Sequence, residues 1–168
     1  ILQGQDGDDR LNGDAGNDIL DGGTGNDYLN GGNGADVYLF GKGSGQDTIY
    51  NYDSDAVGTN ADTILLGVGI TTSGVTITRQ YDDLIISLNG RNDSLRVQSY
   101  FNADGASNNV VENLKFDDGT VWDVATIKAK MITATVGNDT LKGYATNDTI
   151  NGGDGNDIIY GQSGDDTL

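Results

Sequence analysis

Aspartate recurs at nine-residue intervals in two stretches of this chain. Asp9, Asp18, Asp27 and Asp36 keep the interval, Asp47 follows after a small slip, and Asp139, Asp148, Asp157 and Asp166 resume it. The residues that usually accompany catalytic aspartate are missing. Histidine and cysteine are absent, which removes the commonest general base and transition-metal ligand together with every thiolate site. Glu112 is the only glutamate. Nucleophile–base pairs therefore have little to draw on, and the chain is expected not to be an enzyme. Short carboxylates in a glycine-rich context suit another chemistry, the coordination of a hard divalent cation by oxygen.

The elements that must position these aspartates can be read from the same register. Residues 13–39 divide into GDAGNDILD, GGTGNDYLN and GGNGADVYL, with GQDGDDRLN before them and KGSGQDTIY after. GYATNDTIN, GGDGNDIIY and GQSGDDTL return at residues 143–168. Glycine favours positions one, two and four, aspartate holds position six, and an aliphatic or aromatic residue holds position eight. Six residues of turn chemistry thus precede three of strand, and glycine permits backbone angles closed to other residues. Leu11, Leu20, Leu29, Tyr38 and Ile49 at position eight, and Leu141, Ile150, Ile159 and Leu168 in the later stretch, should point inward. No single repeat can bury such a side chain, whereas stacked repeats can.

Two repeats are expected to make one coil of about eighteen residues, so that repeats two apart stack at the strand spacing of roughly 4.8 Å. Asp9, Asp27 and Asp47 then form one column and Asp18 and Asp36 another. Neighbouring carboxylates repel by on the order of 1 kcal/mol in water and by several times more at an effective dielectric near 20. A divalent cation between turns reverses that sign. Calcium fits better than magnesium, because it accepts irregular cages of carboxylate and carbonyl oxygens.

The repeats resemble the haemolysin-type calcium-binding repeats of the RTX proteins, a recognised β-helix repeat pattern. The resemblance implies a right-handed parallel β-roll with calcium ions between its turns. Its ligands would be the position-six aspartates and the carbonyls at positions two and four, with help from position one. In the first block the implied carbonyls are those of Gln5, Gly7, Asp14, Gly16, Gly23, Gly25, Gly32, Gly34, Gly43 and Gly45, with Gly22 and Gly31 at position one. In the second they are Gly137, Tyr144, Thr146, Gly153, Gly155, Gln162 and Gly164, with Gly152 and Gly161. Tyr144-Ala145-Thr146 departs most from the glycine pattern. The resemblance further implies a bacterial, secreted, extracellular protein exported by a type I system and folding on meeting calcium.

Between the blocks glycine thins and apolar residues alternate at residues 75–79, 84–88, 95–101 and 114–116, which predicts strands separated by turns at Asp82-Asp83, Asn89-Gly90 and Asp117-Asp118-Gly119. Residues 123–131 predict one short helix with Asp123 as N-cap. Residues 84–101 and 114–122 resemble the domain that commonly follows such repeats, implying a structural role in continuing or closing the roll. The expected architecture is all-β, a calcium-loaded solenoid in two blocks (residues 1–50 and 135–168) separated by a β-rich capping segment (51–134). Tyr81, Tyr100, Phe101, Phe116 and Trp122 are expected in the core, a ligand platform being the alternative.

The stretch at residues 53–60 starts like an EF-hand loop, but Ile64 stands where that loop needs a bidentate glutamate, so a polar turn is expected. A net charge of −17 argues against nucleic acid as a partner, and no apolar run is long enough to span a membrane. An adhesive module, binding a host-cell receptor or a glycan on behalf of a parent protein, is the second function class. The chain begins and stops within a repeat, which suggests an excerpt of something longer.

Overall fold

A computed structural model describes residues 1–55 and 59–168. These residues are mostly β with one α-helix, and they divide into two compact units, Ile1–Val124 and Ala125–Leu168. Residues 56–58, within the EF-like stretch, lie outside the described residues.

In the first unit each nonapeptide ends in a short strand: β1 (Leu2–Gln3), β2 (Arg10–Asn12), β3 (Ile19–Asp21), β4 (Tyr28–Asn30), β5 (Val37–Phe40) and β6 (Gln46–Ile49). Successive strands enter alternate sheets, and every strand lies parallel to the one two repeats away. Leu2 faces Leu20 and Leu20 faces Tyr38, while Leu11 faces Leu29 and Leu29 faces Ile49. Equivalent positions therefore stack. With a side-chain period of two, only the middle residue of a three-residue strand points inward. Leu20, Leu29, Tyr38 and Ile49 are accordingly at most 1% exposed.

The strands that follow extend both sheets. β7 (Thr63–Leu66) pairs in parallel with β5, placing Ile64 opposite Tyr38. β8 (Val75–Gln80), β9 (Asp83–Leu88) and β10 (Ser94–Val97) add an antiparallel meander whose last strand pairs in parallel with β6. β11 (Asn113–Lys115) pairs in parallel with β7 and antiparallel with β12 (Val121–Asp123). The sheet orders are β1-β3-β5-β7-β11-β12 and β2-β4-β6-β10-β9-β8. The expected strand at 95–101 is shorter than its alternation suggests. Ser99 takes φ 55°, which ends the extended run and folds Tyr100 and Phe101 into an edge-to-face pair in the core. Phe116 and Trp122 are also buried, whereas Tyr81 is 86% exposed at the β8–β9 turn.

The helix α1 (Val124–Met131) begins directly after Asp123 and carries Lys128 and Lys130 in its last turn, where cations favour the helix dipole. In the second unit β13 (Thr140–Lys142) pairs in parallel with β14 (Ile158–Tyr160), and Thr149 bridges Thr167 in the same sense. Leu141 and Ile150 are buried, Ile159 is half-buried and Leu168 is exposed.

Candidate metal centre

The turns between strands are built on backbone that only a few residues accept. In the first unit positions two and four take left-handed φ throughout: 75° and 118° at Gln5 and Gly7, 67° and 115° at Asp14 and Gly16, 95° and 136° at Gly23 and Gly25, 95° and 121° at Gly32 and Gly34, and 91° and 92° at Gly43 and Gly45. Glycine is also required by stacking. A Cβ on Gly23 would lie 1.9 Å from the Gln5 carbonyl, and one on Gly32 2.0 Å from that of Asp14. These position-two carbonyls accept the Thr24 and Asn33 amides at 2.7 and 2.8 Å, which uses one of their two lone pairs.

Glycine at position one has a separate reason. A Cβ there would sit 2.2 Å from Asp27 Oδ2 at Gly22 and 2.1 Å from Asp36 Oδ2 at Gly31, with the same relation at Gly152 and Gly161 to Asp157 and Asp166. Position one makes room for the carboxylate of its own repeat.

Two side-chain ladders then run in opposite senses. At position five, the side chains of Asp8, Asn17 and Asn26 accept the backbone amides of Asn26, Ala35 and Gln46, each from the next stacked turn. At position six, Asp27, Asp36 and Asp47 Oδ1 accept the amides of Asp9, Asp18 and Asp27, each from the preceding stacked turn, at 2.8, 2.8 and 3.0 Å. Asp157 and Asp166 repeat this with the amides of Asp139 and Asp148 at 2.9 and 3.0 Å. The structure thus brings Asp9, Asp27 and Asp47 into one column and Asp18 and Asp36 into the other.

The second column continues through two carboxylates that the repeat register does not reveal. Asp62 Oδ1 accepts the Asp36 amide at 2.7 Å, and Glu112 Oε2 accepts the Asp62 amide at 2.8 Å. Each stands two residues before an inward-facing aliphatic, Ile64 or Leu114, as a position-six aspartate does. That carboxylate–x–aliphatic triplet is the available sequence signal, and without the turn glycines it is too common to stand out. The first column is not continued in this way, because β10 sets Leu95 opposite Asp47; the neighbouring Asp93 carboxylate takes the Gly43 and Gly45 amides, both at 3.1 Å, and Arg91 Nε at 2.6 Å.

Unlike Asp93, the carboxylates of Asp27, Asp36, Asp47 and Asp62 form no salt bridge among the described residues. Burial, opposed by the Asp9 amide and reinforced by the charge of Asp9, raises the Asp27 pKa. Burial likewise raises Asp36 and pushes Asp47 and Asp62 up to about 7. The Oδ2 atoms of Asp9, Asp27 and Asp36 are buried without a hydrogen-bond partner, an arrangement that normally costs about 1–3 kcal/mol per atom. Asp62 is better served, because Asn51 Nδ2 donates to its Oδ2 at 2.7 Å. Asn51 also receives the Tyr38 hydroxyl and donates to the Val110 carbonyl, and Tyr38 Oη accepts the Gly31 amide.

Among the described residues no three acidic side chains converge as a metal-holding cluster. A cation in these turns would draw most of its oxygens from backbone carbonyls and its charge compensation from single aspartates. The donor set fits calcium on that count. The Oδ2 atoms of Asp9, Asp27 and Asp36 are buried and lack donors, and Gly23 and Gly32 leave no Cβ where they stack on Gln5 and Asp14.

Comparison with known proteins agrees with this chemistry. The RTX calcium-binding nonapeptide repeat family matches residues 3–38 and 133–168, and the haemolysin-type calcium binding protein related domain matches residues 83–126. The iron-regulated protein FrpA of Neisseria meningitidis serogroup C is 46% identical over 107 residues, covering 64% of this chain and 9% of that protein.

Proposed function

We propose, from the two blocks at residues 3–38 and 133–168 that match the RTX calcium-binding nonapeptide repeat, that this chain is a calcium-dependent folding module, a right-handed parallel β-roll within a larger secreted bacterial RTX protein. The buried, unpartnered Oδ2 atoms of Asp27 and Asp36 carry this reading. Asp9, Asp18, Asp27, Asp36, Asp47, Asp157 and Asp166, with the carbonyls of positions two and four, are the residues that would hold the ions. When bound, calcium supplies the positive charge that the aspartate columns lack. The chain's own residues do the rest: the glycines admit the close turns, Oδ1 holds the stacked amide, and position eight fills the core.

At cytosolic calcium the columns oppose folding and leave a chain that an exporter can thread. At extracellular calcium each site of Kd about 10⁻⁴–10⁻³ M adds on the order of 1 kcal/mol, and the stacked sites act together. The module itself is non-catalytic. Far-UV circular dichroism and thermal melting in EDTA and in millimolar calcium test the reading, since the β fold should survive in EDTA only at low temperature and gain stability with calcium. The same melting curve in both would sink it.

One observation favours an adhesive role as the alternative. Tyr28, Tyr50 and Tyr52 stack at 6.5 and 6.4 Å, Arg10 lies 4.4 Å over Tyr28, and Tyr52 is 51% exposed. Such a row offers aromatic and guanidinium surface to a glycan. Glycan-array binding that Tyr50→Ala and Tyr52→Ala abolish would support it, and an array blank for the calcium-loaded chain would dismiss it.

A further inference from the structure

Two repeats of the second unit are built differently from the rest. The position-two residues Thr135 and Tyr144 lie outside the left-handed region, as do the position-four residues Gly137 and Thr146, whereas Gly153, Gly155, Gln162 and Gly164 in the following repeats lie within it. The change of backbone turns the position-two amide onto the aspartate of its own repeat. Thr135 N donates to Asp139 Oδ2 at 2.8 Å, and Tyr144 N donates to Asp148 Oδ2 at 2.6 Å. The Thr135 hydroxyl adds a bond to the same carboxylate at 3.1 Å. In the first unit the equivalent atoms of Asp9, Asp27 and Asp36 have no partner, and there position two is left-handed Gln5, Gly23 or Gly32.

The closed geometry at Tyr144 is anchored by its side chain. Tyr144 is 2% exposed, its hydroxyl donates to the Lys128 carbonyl at 3.2 Å, and Lys128 Nζ lies 4.0 Å from its ring centroid. A buried ring held from α1 keeps residue 144 from adopting the left-handed conformation that its glycine counterparts use.

We propose, building on the calcium-binding reading above, that the backbone at position two decides which turns take calcium, and that Asp139 and Asp148 are not ligands. A carboxylate oxygen already held by a donor, as Oδ2 of Asp139 and of Asp148 is, loses a hydrogen bond when it turns to a cation, whereas a buried unpartnered one gains. Each stacked pair of turns in the second unit therefore has one closed member. The first unit loads first, and the second loads weakly through Asp157 and Asp166 alone.

Site-resolved NMR of the full ¹⁵N-labelled chain during a calcium titration, at a low temperature where the calcium-free chain is folded, tests this. The Gly23, Gly25, Gly32 and Gly34 amides should shift, while those of Thr135 and Tyr144 stay in place. Thr135→Gly, at an exposed position, restores glycine at both special positions of its turn and should let the chain bind about one more calcium ion by equilibrium dialysis. Should the variant fail to fold, the amide shifts of the unaltered chain decide alone. Equal shifts in both units, or Thr135 and Tyr144 amides that move with those of Gly23 and Gly32, overturn the sorting while leaving the calcium reading intact. Silence from every turn overturns both.

Discussion

Asp27→Asn separates the two roles of a column aspartate. Asp27 is 2% exposed, its Oδ1 accepts the Asp9 amide at 2.8 Å, and its Oδ2 is buried without a partner. The asparagine keeps an oxygen for the Asp9 amide and removes the charge that burial and Asp9, Asp8 and Asp21 all disfavour. In EDTA at pH 8 the gain is on the order of 1–3 kcal/mol, the scale of one buried, unsatisfied group beside like charges. In calcium the sign reverses. At 10 mM calcium, one site of Kd 10⁻⁴–10⁻³ M contributes about 1.4–2.7 kcal/mol, and the variant forfeits it. Thermal unfolding in the two buffers should therefore cross, with Asp27→Asn melting above wild type in EDTA and below it in calcium. A variant that melts lower in EDTA, yet gains as much from calcium as wild type does, would refute the reasoning.

Other perturbations follow the same geometry. Gly31→Ala would place a Cβ 2.1 Å from Asp36 Oδ2 and 2.7 Å from Tyr38 Oη, so it should lower the melting temperature sharply, whereas Gly41→Ala, whose nearest atom is 3.8 Å away, should melt like wild type. Asn51→Ala strips Asp62 and Val110 of a donor and leaves the Tyr38 hydroxyl without its acceptor, which should cost about 2–4 kcal/mol in calcium and in EDTA alike by denaturant titration. Asp47 and Asp62 are raised from 3.8 to about 7 in the calcium-free fold, so the stability they contribute is complete below about pH 4 and is lost as pH rises through 7. Denaturant titration in EDTA should show that fall, on the order of a few kcal/mol, and a flat profile between pH 5 and 8 would contradict the assigned burial.

Much of the fold was legible because its interactions repeat. Leu20, Leu29, Tyr38 and Ile49 announce their burial through a nine-residue interval, and the columns of Asp9, Asp27 and Asp47 and of Asp18 and Asp36 follow from stacking repeats two apart. The role of position one was less visible. Gly22 and Gly31 read as helpers in holding the ion, and the fold adds that each leaves space for the carboxylate five residues later. Asp62 and Glu112 escaped the register altogether, because the turns that deliver them lack the glycine pattern.

The nonapeptide register by itself determined the strand positions, the inward residues, the aspartate spacing and the preference for an oxygen-ligated cation, since each depends only on neighbours within about eighteen residues. Tertiary structure alone decided how the columns end. Asp36 meets Asp62 across 26 residues, Asp62 meets Glu112 across 50, and Gly45 meets Asp93 across 48. It also decided that Thr135 and Tyr144 turn their amides onto Asp139 and Asp148, because that depends on a backbone angle, and at Tyr144 on packing beneath α1. A local repeat can state which residue faces a neighbour, but only the folded chain brings distant donors to a carboxylate and so sets whether it is free to take an ion.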